Sequence, residues 1–163
     1  MVPTRMGAPL PQATVETWIQ EQGLETEPVT LDAGSGYTWA LAVRGQPFTM
    51  LVAQKAVEHS HLFLQVRITV SEPHAQALRD LPEQKRLLFA HDLRIGLLQQ
   101  AVGHGIDYAE EDPTMPTSVL FGYNVLEDSL QRAGFFRRNH QMQSAALLAA
   151  QYFQKVALLG DWP

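Results

Sequence analysis

The sequence predicts an α+β fold: a five-stranded antiparallel sheet with helices packed on it, in the order α-β-β-β-α-β-β-α. Three observations carry that expectation. Residues 62–70, LFLQVRITV, alternate apolar and polar side chains, the period of two that a strand with one buried face needs. The stretches from Pro82 to about Ala101 and from about Gln131 to Leu158 instead space their apolar residues three and four apart, the period of a helix. Clusters of Gly, Pro, Asp and Ser punctuate the chain between these runs.

Each element follows in turn. Val15, Trp18, Ile19 and Gln22 fall at helical steps and Gly23 stands where a helix stops, so a first helix is expected from about Gln12 to Gln22, with Trp18 and Ile19 turned inward. Tyr37, Trp39, Leu41 and Val43 alternate with smaller or polar residues and predict a strand between the turns at Gly34–Gly36 and Gly45–Pro47. Phe48 to Val57 reads as a second strand, and the LFLQVRITV segment as a third. Short connections imply that the three pair as an antiparallel meander.

Ser71, Glu72 and Pro73 form a helix start: serine can cap free amides, proline presets the first turn, and the carboxylate suits the positive end of the helix dipole. Pro82 divides the helical stretch that follows into a short piece and a long one. Gly103–Gly105 ends it. Two more strands, Ile106 to Glu110 and Ser118 to Leu126, flank the turn-forming DPTMPT. In the closing helix Phe135, Met142, Ala146, Ala149, Phe153 and Val156 share one stripe.

Composition limits the function classes. The 163 residues suit one domain able to bury roughly 70% of its unfolded surface, expected over residues 12–163 behind a flexible arm at 1–11. A formal charge of −5 argues against nucleic acid as a partner, because a polyanion demands a dense basic surface. The absence of cysteine removes disulfides, thiol catalysis and cysteine-ligated metal centres. No apolar run has the length of a membrane span, since His91, Asp92 and Arg94 interrupt even LLFAHDLRIGLL, and the arm lacks the apolar stretch of a secretory signal. A soluble, cytoplasmic protein without a membrane partner is the expectation.

Residues 81–112, LPEQKRLLFAHDLRIGLLQQAVGHGIDYAEED, lead into a strand ending in Leu126-Glu127-Asp128-Ser129-Leu130 and a phenylalanine-bearing last helix. Over roughly residues 80–156 this resembles a family of uncharacterised prokaryotic proteins with the type III secretion chaperone-like fold, also called YbjN-like. Asp92, Leu93 and Arg94 match its AspLeuArg triplet, whereas His91 replaces an aromatic residue. The resemblance brings no catalytic residues. It implies a compact α+β unit that pairs with itself and binds other polypeptides.

Each candidate site also has a plain structural role. Leu88, His91, Ile95, Leu98 and Val102 lie along one side of the long helix, which marks them as the core stripe and His91 as a hydrogen-bonded, partly buried residue with no visible nucleophile beside it. Phe89, Leu93 and Leu97 form a second apolar stripe. A helix apolar on two sides has two surfaces to cover, so these three are candidates for a dimer or partner contact, as are Phe136 and Arg137 in the cationic band Arg137–His140. His59 and His61 are the best metal pair, pointing the same way on an extended strand, but two ligands do not close a zinc site, so no metal and no cofactor are expected. Asp92 and Arg94 lie about 200° apart around a helix and each needs another partner. The leading expectation is a non-enzymatic protein-binding, chaperone-like module, a homodimer able to bind another polypeptide. The alternative is a small-molecule or metal-dependent enzyme whose histidines, among them His74, His104 and His140, are clustered by the fold.

Overall fold

Helix α1 spans Gln12–Gln20, with Val15 and Ile19 buried as its spacing requires. Gly23 then adopts a φ of 72°, a left-handed conformation that glycine tolerates, and the chain turns into β1, Glu25–Pro28. Strands β2 (Tyr37–Arg44), β3 (Met50–Lys55) and β4 (His61–Thr69) follow. After them come α2 (Glu72–Arg79), α3 (Glu83–Leu98), β5 (Gly103–Ala109), β6 (Asp112–Leu126) and α4 (Arg132–Leu159). This computed structural model describes residues 10–56, 61–126 and 130–163.

The sheet corrects the expected fold class. Among the described residues it has six strands, hydrogen-bonded in the order β1-β2-β3-β4-β6-β5, and the element order is α-β-β-β-β-α-α-β-β-α. The five-stranded arrangement of the type III secretion chaperone-like expectation is therefore set aside. The additional strand is β1, whose sequence ETEP carries no apolar alternation. It forms because its backbone pairs antiparallel with β2, Glu25 opposite Arg44 through Pro28 opposite Leu41, and because Glu27 meets Arg44 at 2.6 Å. The helical stretch counted as one element in the expected order is two helices, divided at Pro82 as the sequence predicts, because proline lacks the amide that a continuous helix would use.

Two details at strand ends also differ from expectation. Strand β6 begins at Asp112 and runs through DPTMPT, and register shifts against β5 on either side of Tyr108 accommodate its prolines. Gly103 belongs to β5 instead of ending a helix: a Cβ there would stand 2.8 Å from the Gly122 carbonyl oxygen, so only glycine permits that pairing. At the start of α2 the Ser71 hydroxyl makes no capping bond and lies 2.7 Å from His74 Nδ1.

The chain divides into two compact units, Met1–Gln65 with Tyr123–Asn139, and Val66–Gly122 with His140–Pro163. The first holds α1, β1 to β3, half of β4, the end of β6 and the opening turns of α4. Its core includes Val15, Ile19, Leu41, Val43, Met50, Val52, Leu62 and Leu64. Trp18 and Phe135 meet in that core, ring centroids 6.2 Å apart, and Arg132 pairs with Glu21. The second unit holds α2, α3, β5 and the rest of β4, β6 and α4, around Leu78, Phe89, Leu93, Leu97, Met142, Phe153 and Val156. Among the described residues no helix is long and apolar enough to cross a membrane.

Candidate functional site

In the second unit α3 and α4 lie side by side and antiparallel, because Lys85 near the start of α3 reaches Asp161 beyond the end of α4 while Gly96 near the end of α3 meets Tyr152. Gly96 sets the spacing. A Cβ at that position would stand 2.7 Å from the Tyr152 hydroxyl oxygen, so the missing side chain lets the phenol lie against α3. At the other end Gly160, with a φ of 60°, closes α4 by donating to the Val156 carbonyl, and its left-handed backbone turns Asp161 and Trp162 back over the helix pair.

Trp162 is then held from every side. Phe89 meets its ring edge-on at 5.0 Å and Tyr152 stacks on it at 5.5 Å, geometries that aromatic rings favour. Its indole Nε1 donates to Asp92 Oδ2 at 2.9 Å, and Lys85 donates to its carbonyl oxygen. The Lys155 ammonium sits 4.7 Å from the ring centroid, a cation–π contact.

Trp162, Asp92, Tyr152 and Lys155 line an open groove of about 490 Å³. Asp92, Ile95 and Gln99 form its α3 bank, Gln151, Tyr152 and Lys155 its α4 bank, and Trp162 closes one end. A shallower depression continues it along α4 past Gln151 and Lys155 to Leu158 and Leu159. The indole hydrogen bond is the largest influence on the Asp92 carboxyl and holds it below its ordinary pKa; burial opposes it, and the His91 imidazole and Lys155 ammonium add smaller lowering effects. A carboxylate so stabilised is a poor general base. In a second cavity of about 480 Å³, bordered by α2 and β6, Glu72 pairs with Arg79 and Asp112 with Arg86 and Thr114, while Glu111 adds a further carboxylate.

The walls of the groove overturn the assignment of stripes on α3. Leu88, Ile95 and Leu98, expected in the core, are exposed, Leu98 by 65%, and His91 is exposed with Nδ1 3.2 Å from Asp92 Oδ1. Phe89, Leu93 and Leu97, the dimer candidates, are at most 1% exposed and pack inside their own unit, which leaves them no surface to offer a second copy. Both stripes are apolar, so spacing alone did not say which one met the aromatic residues of α4. Seven of the eight large apolar side chains that stand exposed among the described residues lie on this helix pair: Leu87, Leu88, Ile95 and Leu98 on α3, and Leu147, Leu158 and Leu159 on α4. Lys155 is the sole charged residue between Gln141 and Leu159.

The other candidates are dispersed. His59 lies outside the described residues, His61 begins β4, His104 Nδ1 donates to the Val102 carbonyl at 3.2 Å, and His140 is exposed on α4. No three His, Asp or Glu side chains among the described residues gather as a metal-binding group. Phe136 is half-buried, edge-on to Phe135 at 5.2 Å, and Arg137 is exposed. Burial pushes the Tyr123 phenol up in pKa, while Arg138 and Arg137 oppose the shift. The separate partners that Asp92 and Arg94 require are the Trp162 indole and the Tyr108 hydroxyl, the latter at 3.2 Å from Arg94. Sequence reasoning missed Tyr152, Lys155 and Trp162. The available signal was the near absence of charge from Gln141 to the end of α4, since an exposed helix face is ordinarily charged.

No curated protein matches this chain. A crystal structure of an uncharacterized protein from Methanothermobacter thermautotrophicus superposes with a TM-score of 0.80 at 20% identity, covering 90% of this chain and 98% of that one. At that identity the likeness establishes the shared fold. Residues 12–153 match the family described as "Uncharacterized conserved protein (DUF2299)". The chain, over nearly all of its length, belongs to that family.

Proposed function

We propose that this chain is a non-enzymatic protein-binding module whose contact surface is the outer face of α3 and α4, and that the first partner of that face is a second copy of the chain. One observation carries the reading: the exposed large apolar side chains gather on two adjacent helices, one of which has a single charged residue over its last nineteen positions. Contiguous exposed apolar surface marks interaction sites, and interface centres are depleted of charged residues. Charge within the groove favours self-pairing: its side chains include one acid, Asp92, and one base, Lys155, so two copies of the same patch offer each other opposite charges.

Size-exclusion chromatography with light scattering tests the reading. The expected mass is twice that of one chain at micromolar concentration, falling to one chain in Leu98→Asp combined with Leu158→Asp. A mass of one chain for the wild type at all concentrations up to the millimolar range rejects self-pairing.

A further inference from the structure

The groove contains one side-chain carboxylate, Asp92, and one ammonium, Lys155, on opposite banks that do not pair with each other. Asp92 and Lys155 both touch Trp162, Asp92 through the indole Nε1 at 2.9 Å and Lys155 through the ring face at 4.7 Å, so they stand at the same height along the helix pair. Their charges are sensed, since Lys155 helps to lower the Asp92 pKa, yet no ion pair joins them. Asp92 accepts from Trp162 and lies beside His91, which leaves carboxylate lone pairs unused. The three Lys155 donors have no acceptor among the described residues, the indole face being their one close contact.

We propose that Asp92 and Lys155 are the reciprocal specificity pair of a two-fold interface, each bonding the other residue type on a second copy. This rests on the self-pairing proposed above and adds what sets its register. An isologous interface presents the same patch from both sides, so a lone acid and a lone base in one patch are satisfied twice over if the symmetry operator exchanges them. A two-fold axis running along the groove, parallel to the helices, does so. It lays α3 over the second copy's α4, antiparallel, with Asp92 opposite the partner's Lys155 and Lys155 opposite the partner's Asp92. The exposed leucines then meet as the apolar layer of a four-helix arrangement, with Gln99 and Gln151 beside the charged pair as further hydrogen-bonding groups. Any other register leaves each charge against leucine or glutamine, which disfavours it.

Charge exchange tests the pair. Asp92→Lys places like charges opposite each other at both contacts, and so does Lys155→Asp; each variant alone should self-associate at least about tenfold more weakly, because like-charge juxtaposition is costly in an interface. An equimolar mixture of the two restores attraction at both contacts. Sedimentation equilibrium should therefore show monomers in each solution and dimers in the mixture, a gain that misfolding cannot produce. A dimeric wild type whose variants dimerise as tightly as it does overturns the pair and leaves the apolar interface standing. A monomeric wild type overturns both. If Asp92→Lys fails to fold, as circular dichroism reports, Lys155→Asp alone decides: it disturbs no hydrogen bond, and undiminished self-association rejects the proposal.

Discussion

The two faces of α3 are built from the same kinds of residue and meet opposite fates. On one, Phe89, Leu93, Gly96 and Leu97 are buried. On the other, Leu88, Ile95 and Leu98 face solvent beside Asp92. Apolar content does not separate them. What does is shape: the buried face pairs a phenylalanine with Tyr152, Phe153 and Trp162, and it has a glycine where the phenol needs room. Closely interlocked aromatic contacts outweigh a row of aliphatic side chains of equal hydrophobicity.

The largest expected effect comes from the buried face. Phe89→Ala removes the ring on which three aromatic residues converge, and should destabilise the chain by about 3–5 kcal/mol in a urea titration. On the exposed face the same kind of change should do little: Leu98→Asp is expected to shift stability by less than about 0.5 kcal/mol while weakening association.

Between these extremes, Gly96→Ala sharpens the comparison at a single methyl. Its clash with Tyr152, whose ring is fixed against Trp162, costs roughly 1–3 kcal/mol, against about 1 kcal/mol gained in helix propensity. A net loss of about 1 kcal/mol should appear in the urea midpoint. A stabilised variant would show that the phenol swings aside freely.

Acid should act through the same region. Asp92, bonded by Trp162, and Asp161, bonded by Lys85, have carboxyl groups held below the ordinary value of 3.8. A depressed carboxylate contributes stability that is complete above the unfolded pKa and is lost as pH falls through the folded one. Stability should therefore hold above about pH 5 and decline below pH 4, and Asp92→Asn should make that decline shallower. Equal acid sensitivity in the variant would assign the effect to other carboxylates. The smallest change is expected from Lys155→Gln in a monomeric background, where only an exposed cation–π contact of about 0.5–1 kcal/mol is lost.

How much of this was legible in the sequence varied with the length of the signal. The alternation in residues 62–70 placed Leu62, Leu64 and Val66 in the core, and the six residues of the last helix's stripe are all buried. Strand β1 was illegible because four residues with two glutamates and a proline carry no pattern; its partner strand imposes its conformation. The groove was half legible. A helix with two apolar stripes announced a second surface on α3, but deciding which stripe faced outward needed Tyr152 and Trp162, more than fifty residues away along the chain, and no local spacing contains that information.

Strand β1 has a bearing on how the protein survives at high concentration. As the outermost strand at its side of the sheet it exposes a line of unused peptide groups, the template from which fibrils grow. Four residues is too short a template to hold an incoming strand, Pro28 removes one donor, and Glu25 and Glu27 would confront their own copies in any stacked, in-register array. The segment that is least visible as structure in the sequence thus also serves as a safeguard against amyloid.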